Sequence, residues 1–537
     1  MDEMFTSFVV TDDSGMKKVE YPNPKPPVVS NLFDMSRKDS LFGLLFFVLT
    51  ILFTIFGLWG GFQAGFSAVA LLGFVLMTIY FAGKNTKIRF FPFVCGILSC
   101  LVSLVFGVTS NGEVRFWSFV SVLMLSTVWF DSLVNSNPDK GDLGIIGRIC
   151  RAIFKGSFGS MPKSLASLFA SKGEKRVSVG KVMIGILCSM PVLFVVLPLL
   201  ISSDAAFSGL ASKITENMSL TIFQIIIGLM IAPFVLAYCF ALKKIKAPEE
   251  KESSFKGIEN TVVISFLSVL SLCYLTYLFS QLAYFFSAFS GFLPDDYSFT
   301  VAAYARRGFF EMSVIAAINL LIIFLVLLLS RKKNNKICVA SRILCLFIGI
   351  FTLVIISTAL SKMILYIDSF GMTRLRITTS AFMVFLAIVF ISIMFRLFMS
   401  KVRVLRTALV TAGIILVVLG TVNVNSVVAM YNYEAYKSKD LINIDVDTIA
   451  ELGDEGIPYL VQLAGDSNST VSAKSKRHLS DAIKYGYYEV DFELGKYFIR
   501  GKTYDDIGEY SIARSNAYEA LDRYIEKNPS VFEPSWV

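Results

Sequence analysis

Eleven long apolar runs, separated by short charged links, are the feature that most limits what this chain can fold into. A helix that crosses a bilayer needs about 20 mostly apolar residues, and a backbone surrounded by lipid must satisfy its own hydrogen bonds. Hydrophobic residues make up 55% of the sequence, which excludes an ordinary soluble domain. The sequence therefore predicts an all-α, polytopic transmembrane helical bundle. The predicted spans are residues 40–60, 64–82, 90–108, 114–134, 182–201, 219–242, 261–288, 308–330, 337–361, 378–398 and 404–422.

The distribution of lysine and arginine predicts which way the bundle faces. Alternate links, beginning with residues 1–38 and including the long loop 135–181, carry 31 of these residues, whereas the other links and their flanks carry 7. Cytoplasmic loops of membrane proteins are enriched in Lys and Arg. We therefore expect a cytoplasmic N-terminus and, because the number of predicted spans is odd, an extracytoplasmic C-terminus.

Three segments flank or interrupt the predicted transmembrane domain, which covers residues 39–422. Residues 1–38 are polar and contain a Pro-rich patch, which is typical of a disordered tail. The loop 135–181 contains a basic amphipathic stretch, residues 144–155, interpreted either as a helix on the anionic inner leaflet or as an ordinary connecting helix. Residues 423–537 hold 12 Lys and Arg against 19 Asp and Glu, so we expect a small, acidic, helical domain outside the membrane.

Arginines on the predicted outer side are the exceptions to the charge rule. Four of them fall in two pairs, Arg306 with Arg307 and Arg374 with Arg376. Because an inward-facing guanidinium needs an anionic partner, the pairs are interpreted either as a pocket for an anionic ligand group or as ion pairs between helix ends. The residues of this candidate site are Asp204, Tyr304, Arg306, Arg307, Glu311, Tyr366, Asp368, Gly371, Thr373, Arg374 and Arg376.

Two motifs within this set resemble those of a known family. Residues 304–311 match a Y-A-R-x-G-F-F-E signature, and residues 366–376 match Y-x-x-x-F-G-M-T-x-x-R. Tyr431 and Asn432, at the start of the predicted outer domain, add to the likeness. The chain thereby resembles the bacterial multi-pass membrane proteins grouped as domain of unknown function 4173. The resemblance implies an uncharacterised protein of the bacterial plasma membrane and supplies no reaction.

The sequence leaves three functions open. The outer charges beside a soluble domain favour an envelope-facing protein that binds, senses or scaffolds. A transporter or permease for an uncharged or anionic solute is the first alternative, although the centres of the predicted spans lack Asp, Glu, Lys and Arg, which disfavours ion coupling. The second alternative is an enzyme acting on a lipid-linked envelope substrate, with Asp295 and Asp296 as candidate acids. The sequence favours a role without catalysis.

Motifs for metal, cofactor and nucleic-acid chemistry are absent from the sequence. It holds one histidine, no G-x-x-x-x-G-K-[ST] phosphate loop, no G-x-S-x-G elbow and no paired C-x-x-C. We therefore predict no catalytic residue, no metal, no cofactor and no nucleic-acid partner. The expected partners are membrane lipids, an anionic lipid or envelope polymer at the outer arginines, and a protein that binds the outer domain.

Overall fold

The structure, a computed structural model, describes most of the predicted spans and the C-terminal domain. The described residues are 8–11, 17–20, 36–59, 62–83, 88–109, 111–135, 147–161, 163–164, 189, 192, 196, 198–204, 207–209, 220–244, 257–289, 309–331, 337–399, 401–493, 496–501 and 512–528. Near the N-terminus, β1 (Phe8–Thr11) pairs antiparallel with β2 (Lys17–Glu20). The segment predicted to be disordered therefore includes a short hairpin, which its polar composition did not indicate.

Long apolar helices build the described part of the bundle, which confirms the all-α polytopic class. They are α1 (Arg37–Phe53, continued by a π-helical turn at Thr54–Trp59), α2 (Ala64–Phe81), α3 (Phe90–Val105), α4 (Gly112–Val134), α5 (Leu220–Lys244), α6 (Asn260–Phe289), α7 (Phe309–Leu329), α8 (Val339–Phe370), α9 (Arg374–Phe398) and α10 (Val404–Val422). Among the described residues, 9 helices are long and apolar enough to cross a membrane, and α3, with 16 residues, is shorter. The span predicted at 182–201 lies largely outside the described residues.

Among the described residues, two large apolar cores pack most of these helices, and α10 joins them through a smaller cluster with α3 and α4. One core packs α1, α2, α4 and α5 around Phe46, Phe130 and Phe240, and the other packs α6 to α9 around Ile348 and Phe390. α10 contacts α3 and α4 on one side and α9 on the other. Burial of large apolar side chains between helices gives this packing its stability, because a void would forfeit dispersion contacts.

A polar network crosses the second core at the middle of the bundle. The hydroxyl of Tyr274 on α6 donates to the side-chain carbonyl of Asn319 on α7 at 2.5 Å, and the Asn319 amide donates to the Thr352 hydroxyl on α8 at 2.9 Å. Asn319 and Thr352 are fully buried. These three side chains therefore satisfy one another's hydrogen bonds inside the bundle. Interhelical hydrogen bonds of this kind stabilise helix packing in lipid.

The two ends of the bundle differ in what they carry. At the end we call the tail end, Asp39 in the first turn of α1 accepts hydrogen bonds from Tyr80 of α2 at 3.0 Å and from Lys243 of α5 at 3.2 Å. The opposite end, which we call the domain end, carries the α8–α9 connector, the N-terminus of α4 and the C-terminus of α10. α1, α3, α8 and α10 therefore run towards the domain end.

The C-terminal domain begins directly after α10 and is mainly helical. Its elements are α11 (Val424–Lys437), α12 (Val446–Ala450), a 3₁₀ turn (Gly453–Glu455), α13 (Ile457–Leu463), α14 (Ser469–Asp481, continued by a π-helical turn at Ala482–Tyr487), the antiparallel strands β3 (Tyr488–Glu493) and β4 (Lys496–Gly501), and α15 (Ile512–Lys527). The domain has its own buried core, which includes Val428, Ile449, Leu463, Leu479 and Leu521. Met372, Ile377 and Leu419 of the bundle pack against this core, so the domain rests on the bundle.

Candidate functional site at the domain end

The connector between α8 and α9 carries the second sequence motif. α8 has 32 residues, a length of about 48 Å, which exceeds the roughly 30 Å of the hydrocarbon layer and lifts its last turns towards the domain. Gly371 ends the helix with a φ of +76°, a conformation that favours glycine. The Thr373 hydroxyl then caps α9 by accepting a hydrogen bond from the backbone N–H of Arg376 at 3.4 Å.

Arg376 folds back from α9 onto the end of α8. Its guanidinium lies 4.1 Å from the centre of the Tyr366 ring and donates to the backbone carbonyls of Phe370, at 3.2 Å, and of Gly371. These carbonyls lie at the negative end of the α8 dipole, where a cation is stabilising. The motif therefore forms one turn between α8 and α9, built from Tyr366, Gly371, Thr373 and Arg376. The partners of the Arg376 guanidinium in this turn are two backbone carbonyls and the Tyr366 ring.

Asn432 of α11 fastens this turn to the C-terminal domain. Its side-chain carbonyl accepts from the backbone N–H of Met372 at 2.6 Å, and its amide donates to the Met372 carbonyl at 2.8 Å. The neighbouring Tyr431 hydroxyl donates to the Asp368 carboxylate at 3.4 Å. We call this arrangement the Asn432 clamp. It links Tyr431 and Asn432, which were expected at the start of the domain, to residues of the α8–α9 connector.

A buried amide and carboxylate network forms a second junction, beside α4. Glu455 is 4% exposed and accepts hydrogen bonds from Asn423 at 3.0 Å and from Asn425 at 3.4 Å. Asn425 also accepts from Asn111, which precedes α4, at 3.5 Å. Because a buried carboxylate is costly unless it is hydrogen-bonded, this network ties the domain to the bundle at a defined position.

A groove with a volume of about 920 Å³ opens on the C-terminal domain between α13, α14 and α15. Three exposed cations line it, Lys476 on α14 and Arg523 and Lys527 on α15. Arg523 also pairs with Glu519, one turn earlier on α15. The side-chain amides in the lining belong to Gln462, Asn516 and Asn528, and the rings to Tyr459 and Tyr524. The residues of the domain carry 12 Lys and Arg against 19 Asp and Glu, so this group of cations contrasts with the acidic domain around it.

Two acidic residues, Asp454 and Glu455, line the inner end of the groove. Burial raises the pKa of Asp454 above the usual range of an aspartate, although the Tyr487 hydroxyl donates to it and Arg514 and Arg115 lower its pKa. Asp454 in turn contributes, after burial, to the raised pKa of Tyr487. The groove thus has hydrogen-bonded carboxylates at its inner end, and its exposed side carries the three cations together with the Glu519 carboxylate that pairs with Arg523.

The structure describes some of the residues predicted to form the outer arginine site. Tyr304, Arg306 and Arg307 lie outside the described residues, as do Asp295 and Asp296. Glu311 is exposed in the first turn of α7, Asp204 is exposed after the helical turn 198–203, and Arg374 begins α9. Five others come together in the α8–α9 turn that the Asn432 clamp holds: Tyr366, Asp368, Gly371, Thr373 and Arg376. Within the described part of the chain, no group of three His, Cys, Asp or Glu side chains could hold a metal ion.

Sequence reasoning missed the groove and the buried network beside α4. Lys476, Arg523 and Lys527 are spread over two helices, and their exposed faces look like ordinary solvated helix surface. The cluster of asparagines at the end of α10, Asn423 and Asn425, was an available signal. Polar amides next to the last span indicate a junction that must satisfy buried hydrogen bonds.

Comparison with known proteins places residues 93–463 in a family model described as a domain of unknown function, DUF4153. The match covers the bundle from α3 onwards and the first part of the C-terminal domain. It supports an uncharacterised domain family, as the motifs suggested, but it does not support the domain of unknown function 4173 that they resemble. No curated protein and no solved structure matches the chain.

Proposed function

Because the chain belongs to the DUF4153 family, whose function is unknown, we propose a role from the geometry of this chain alone. In this role the protein is a membrane-anchored binding protein of the cell envelope. The bundle holds the C-terminal domain in a fixed position at the outer face of the bacterial plasma membrane, and the N-terminus lies in the cytoplasm. The domain binds an anionic partner through the groove between α13, α14 and α15.

The three cations on the exposed side of the groove, where Glu519 is the one acidic residue of the described lining, are the observation that carries this proposal. Lys476, Arg523 and Lys527 line a volume of about 920 Å³, within the roughly 300–1,000 Å³ typical of ligand sites. Arginine and lysine recognise phosphate and carboxylate groups through charge-assisted hydrogen bonds. Carboxamides beside them, such as Asn516 and Asn528, suit a hydroxyl-bearing body. The ligand class is therefore a hydroxyl-rich, anionic headgroup or polymer segment.

The two junctions support a sensing or scaffolding role over simple tethering. The Asn432 clamp and the Glu455 network attach the domain at two places, near α8–α9 and near α4. A domain held at two points transmits a change of position to both halves of the bundle. A ligand bound in the groove would contact the Glu455 network directly, because Glu455 lines the groove and also accepts the hydrogen bonds of that network.

The two alternative functions have less support from the described residues. Transport coupled to ions needs charged or hydratable groups inside the bundle. In the described spans, the polar groups Tyr274, Asn319 and Thr352 hydrogen-bond to one another, which is the arrangement of a packing network. An enzyme acting on a lipid-linked substrate was predicted to use Asp295 and Asp296, which lie outside the described residues. No described observation favours either role.

Charge reversal in the groove tests the proposal with a matched control on the same helix. Lys476 lines the groove, whereas Lys474, two residues earlier on α14, pairs with Asp447 at 2.9 Å and does not line it. The full-length protein in detergent is titrated with inorganic polyphosphate and with poly-glutamate, and binding is followed by thermophoresis. We expect Lys476→Glu to weaken binding of the preferred polyanion about tenfold or more, equivalent to about 1.4 kcal/mol. Lys474→Glu should bind as the wild type does.

Equal binding by Lys476→Glu and Lys474→Glu would contradict the assignment of the groove. If neither polyanion binds the wild-type protein at any salt concentration, the anionic ligand class is wrong. Binding through exposed charges weakens as ionic strength rises. The titration is therefore repeated at low and physiological salt, and the difference between the two variants should shrink at higher salt.

A further inference from the structure

A second cavity lies inside the membrane region, separate from the groove. Its volume is about 440 Å³, and α4, α9 and α10 line it. α4 and α9 each pack against α10, so the cavity is a cleft between them with α10 at its base. We call it the α4–α9 cleft. Its lining is almost entirely apolar, with Trp117 on α4, Phe382 and Phe385 on α9, and Ala412 and Leu419 on α10.

The position and lining of the cleft match a lipid acyl chain. It is formed by the first turns of α4 and α9 and the last turns of α10, so it lies in the half of the membrane next to the domain end. The small side chains of Ala381 and Ala412 leave the space open, and the aromatic rings of Phe382 and Phe385 form one wall. In a bilayer the cleft is surrounded by lipid hydrocarbon. An empty cleft would lose dispersion contacts that an acyl chain would supply.

Two residues of opposite charge are positioned at the end of the cleft nearest the C-terminal domain. Glu113 lines it from the first turn of α4. Arg374 stands one helical turn before Thr378 on α9, so it lies on the same helix face just above the lining residues. A cation and a carboxylate at the same end of an apolar cleft complement a headgroup that carries a phosphate and an ammonium group.

We propose that the α4–α9 cleft binds one chain of a zwitterionic aminophospholipid, with the phosphate at Arg374 and the ammonium group at Glu113. The site adjoins the Asn432 clamp, because Leu375 in the lining and Arg376 are consecutive residues of α9. At its other side Leu419 contacts both the cleft and the core of the C-terminal domain. Lipid bound here therefore touches the helix turn that carries the clamp.

Native mass spectrometry of the full-length protein tests the site with defined lipids. Delipidated protein in mild detergent is titrated with phosphatidylethanolamine, phosphatidylglycerol and diacylglycerol that have identical acyl chains. Ala412→Trp fills the cleft, and Ile414→Trp, on the exposed face of the same helix and outside the lining, is the matched control. We expect Ala412→Trp to lower the binding of phosphatidylethanolamine about tenfold, whereas Ile414→Trp leaves it unchanged.

Two charge variants separate the headgroup contacts from the acyl-chain contact. Glu113→Gln should abolish the preference for phosphatidylethanolamine over phosphatidylglycerol, and Arg374→Gln should abolish the preference for either phospholipid over diacylglycerol. Equal lipid binding by Ala412→Trp and Ile414→Trp overturns the cleft as a lipid site. If wild-type protein binds the three lipids equally, the headgroup assignment is wrong. Neither result depends on the groove, whose polyanion binding is measured separately.

Discussion

The side-chain amide of Asn432 forms two hydrogen bonds with the backbone of Met372, at 2.6 Å and 2.8 Å, across the boundary between the C-terminal domain and the bundle. An asparagine side chain has the same donor and acceptor arrangement as a peptide group, so it pairs with Met372 as a neighbouring strand would. This contact, together with the Glu455 network, makes the domain and the bundle one unit.

Replacing Asn432 by alanine should loosen the junction. The change leaves the Met372 N–H and carbonyl without these partners, at a cost of about 1–3 kcal/mol. Hydrogen exchange of the full-length protein should show faster exchange in residues 371–376, with the centre of the bundle unchanged. Asn443→Ala, at an exposed position in the same domain, is the control and should exchange as the wild type does.

Gly371→Ala should be more damaging than the same change at Gly453. Both glycines have a positive φ, +76° and +72°, so both substitutions carry a backbone penalty, and the ψ of 178° places Gly371 in a region almost confined to glycine. A Cβ atom at Gly371 would lie 2.5 Å from Oδ1 of Asn432, whereas one at Gly453 meets open space. Thermal unfolding should therefore begin at a lower temperature in Gly371→Ala. Equal unfolding of the two variants would argue against close packing at the clamp.

Arg376 and Tyr366 should show a measurable coupling free energy. The guanidinium lies 4.1 Å from the ring centre, a cation–π distance worth about 0.5–1 kcal/mol at a partly exposed site. A double-mutant cycle with Arg376→Ala and Tyr366→Leu, read by chemical unfolding of the full-length protein, measures it. Additive effects of the two substitutions would show that the stacking contributes no stability and that Arg376 acts through the carbonyls alone.

Asp454 should make the C-terminal domain more stable at mildly acidic pH. Burial raises its pKa in the folded state, so the folded domain binds a proton more readily than the unfolded chain. Stability from this group therefore falls as pH rises from the ordinary aspartate range, near 4, through the raised pKa. Asp454→Asn should remove that dependence, as measured by hydrogen exchange of α13 and α15 from about pH 4 upwards.

Asp447 provides a control of opposite sign. Hydrogen bonds from Lys474 and His478 lower its pKa, so its contribution is present at neutral pH and is lost as pH falls through the lowered pKa. Asp447→Asn should leave the effect of Asp454 in place. If Asp454→Asn and the wild-type protein have the same domain stability at every pH, the buried position of the Asp454 carboxyl is contradicted.

The sequence was sufficient to predict the helical bundle, because hydrophobic length and periodicity are local properties. The ends of α2, α4 and α10 fall within a few residues of the predicted spans. The end of α8 was predicted at residue 361, directly before Lys362 and nine residues before Phe370. The helix instead continues through residues 362–370 to the clamp.

The site was less predictable, because its contacts join distant parts of the chain. Arg376 was expected to need a carboxylate or a ligand, yet the carbonyls at the end of α8 and the ring of Tyr366 take that place. A helix end offers a cation partial negative charge that no acidic residue in the sequence reveals. The groove cations Lys476 and Lys527 lie 51 positions apart, so only the packing of α14 and α15 brings them to one surface.

Cysteine accessibility in intact cells tests most directly whether the domain and its groove face outward. The eight native cysteines are replaced, and a single cysteine is introduced at Ser467, exposed in the domain, or at Lys401, exposed between α9 and α10 at the tail end. A membrane-impermeant maleimide should label Ser467→Cys in intact cells and Lys401→Cys only after permeabilisation. The reverse pattern would place the C-terminal domain in the cytoplasm and contradict an envelope-facing binding protein.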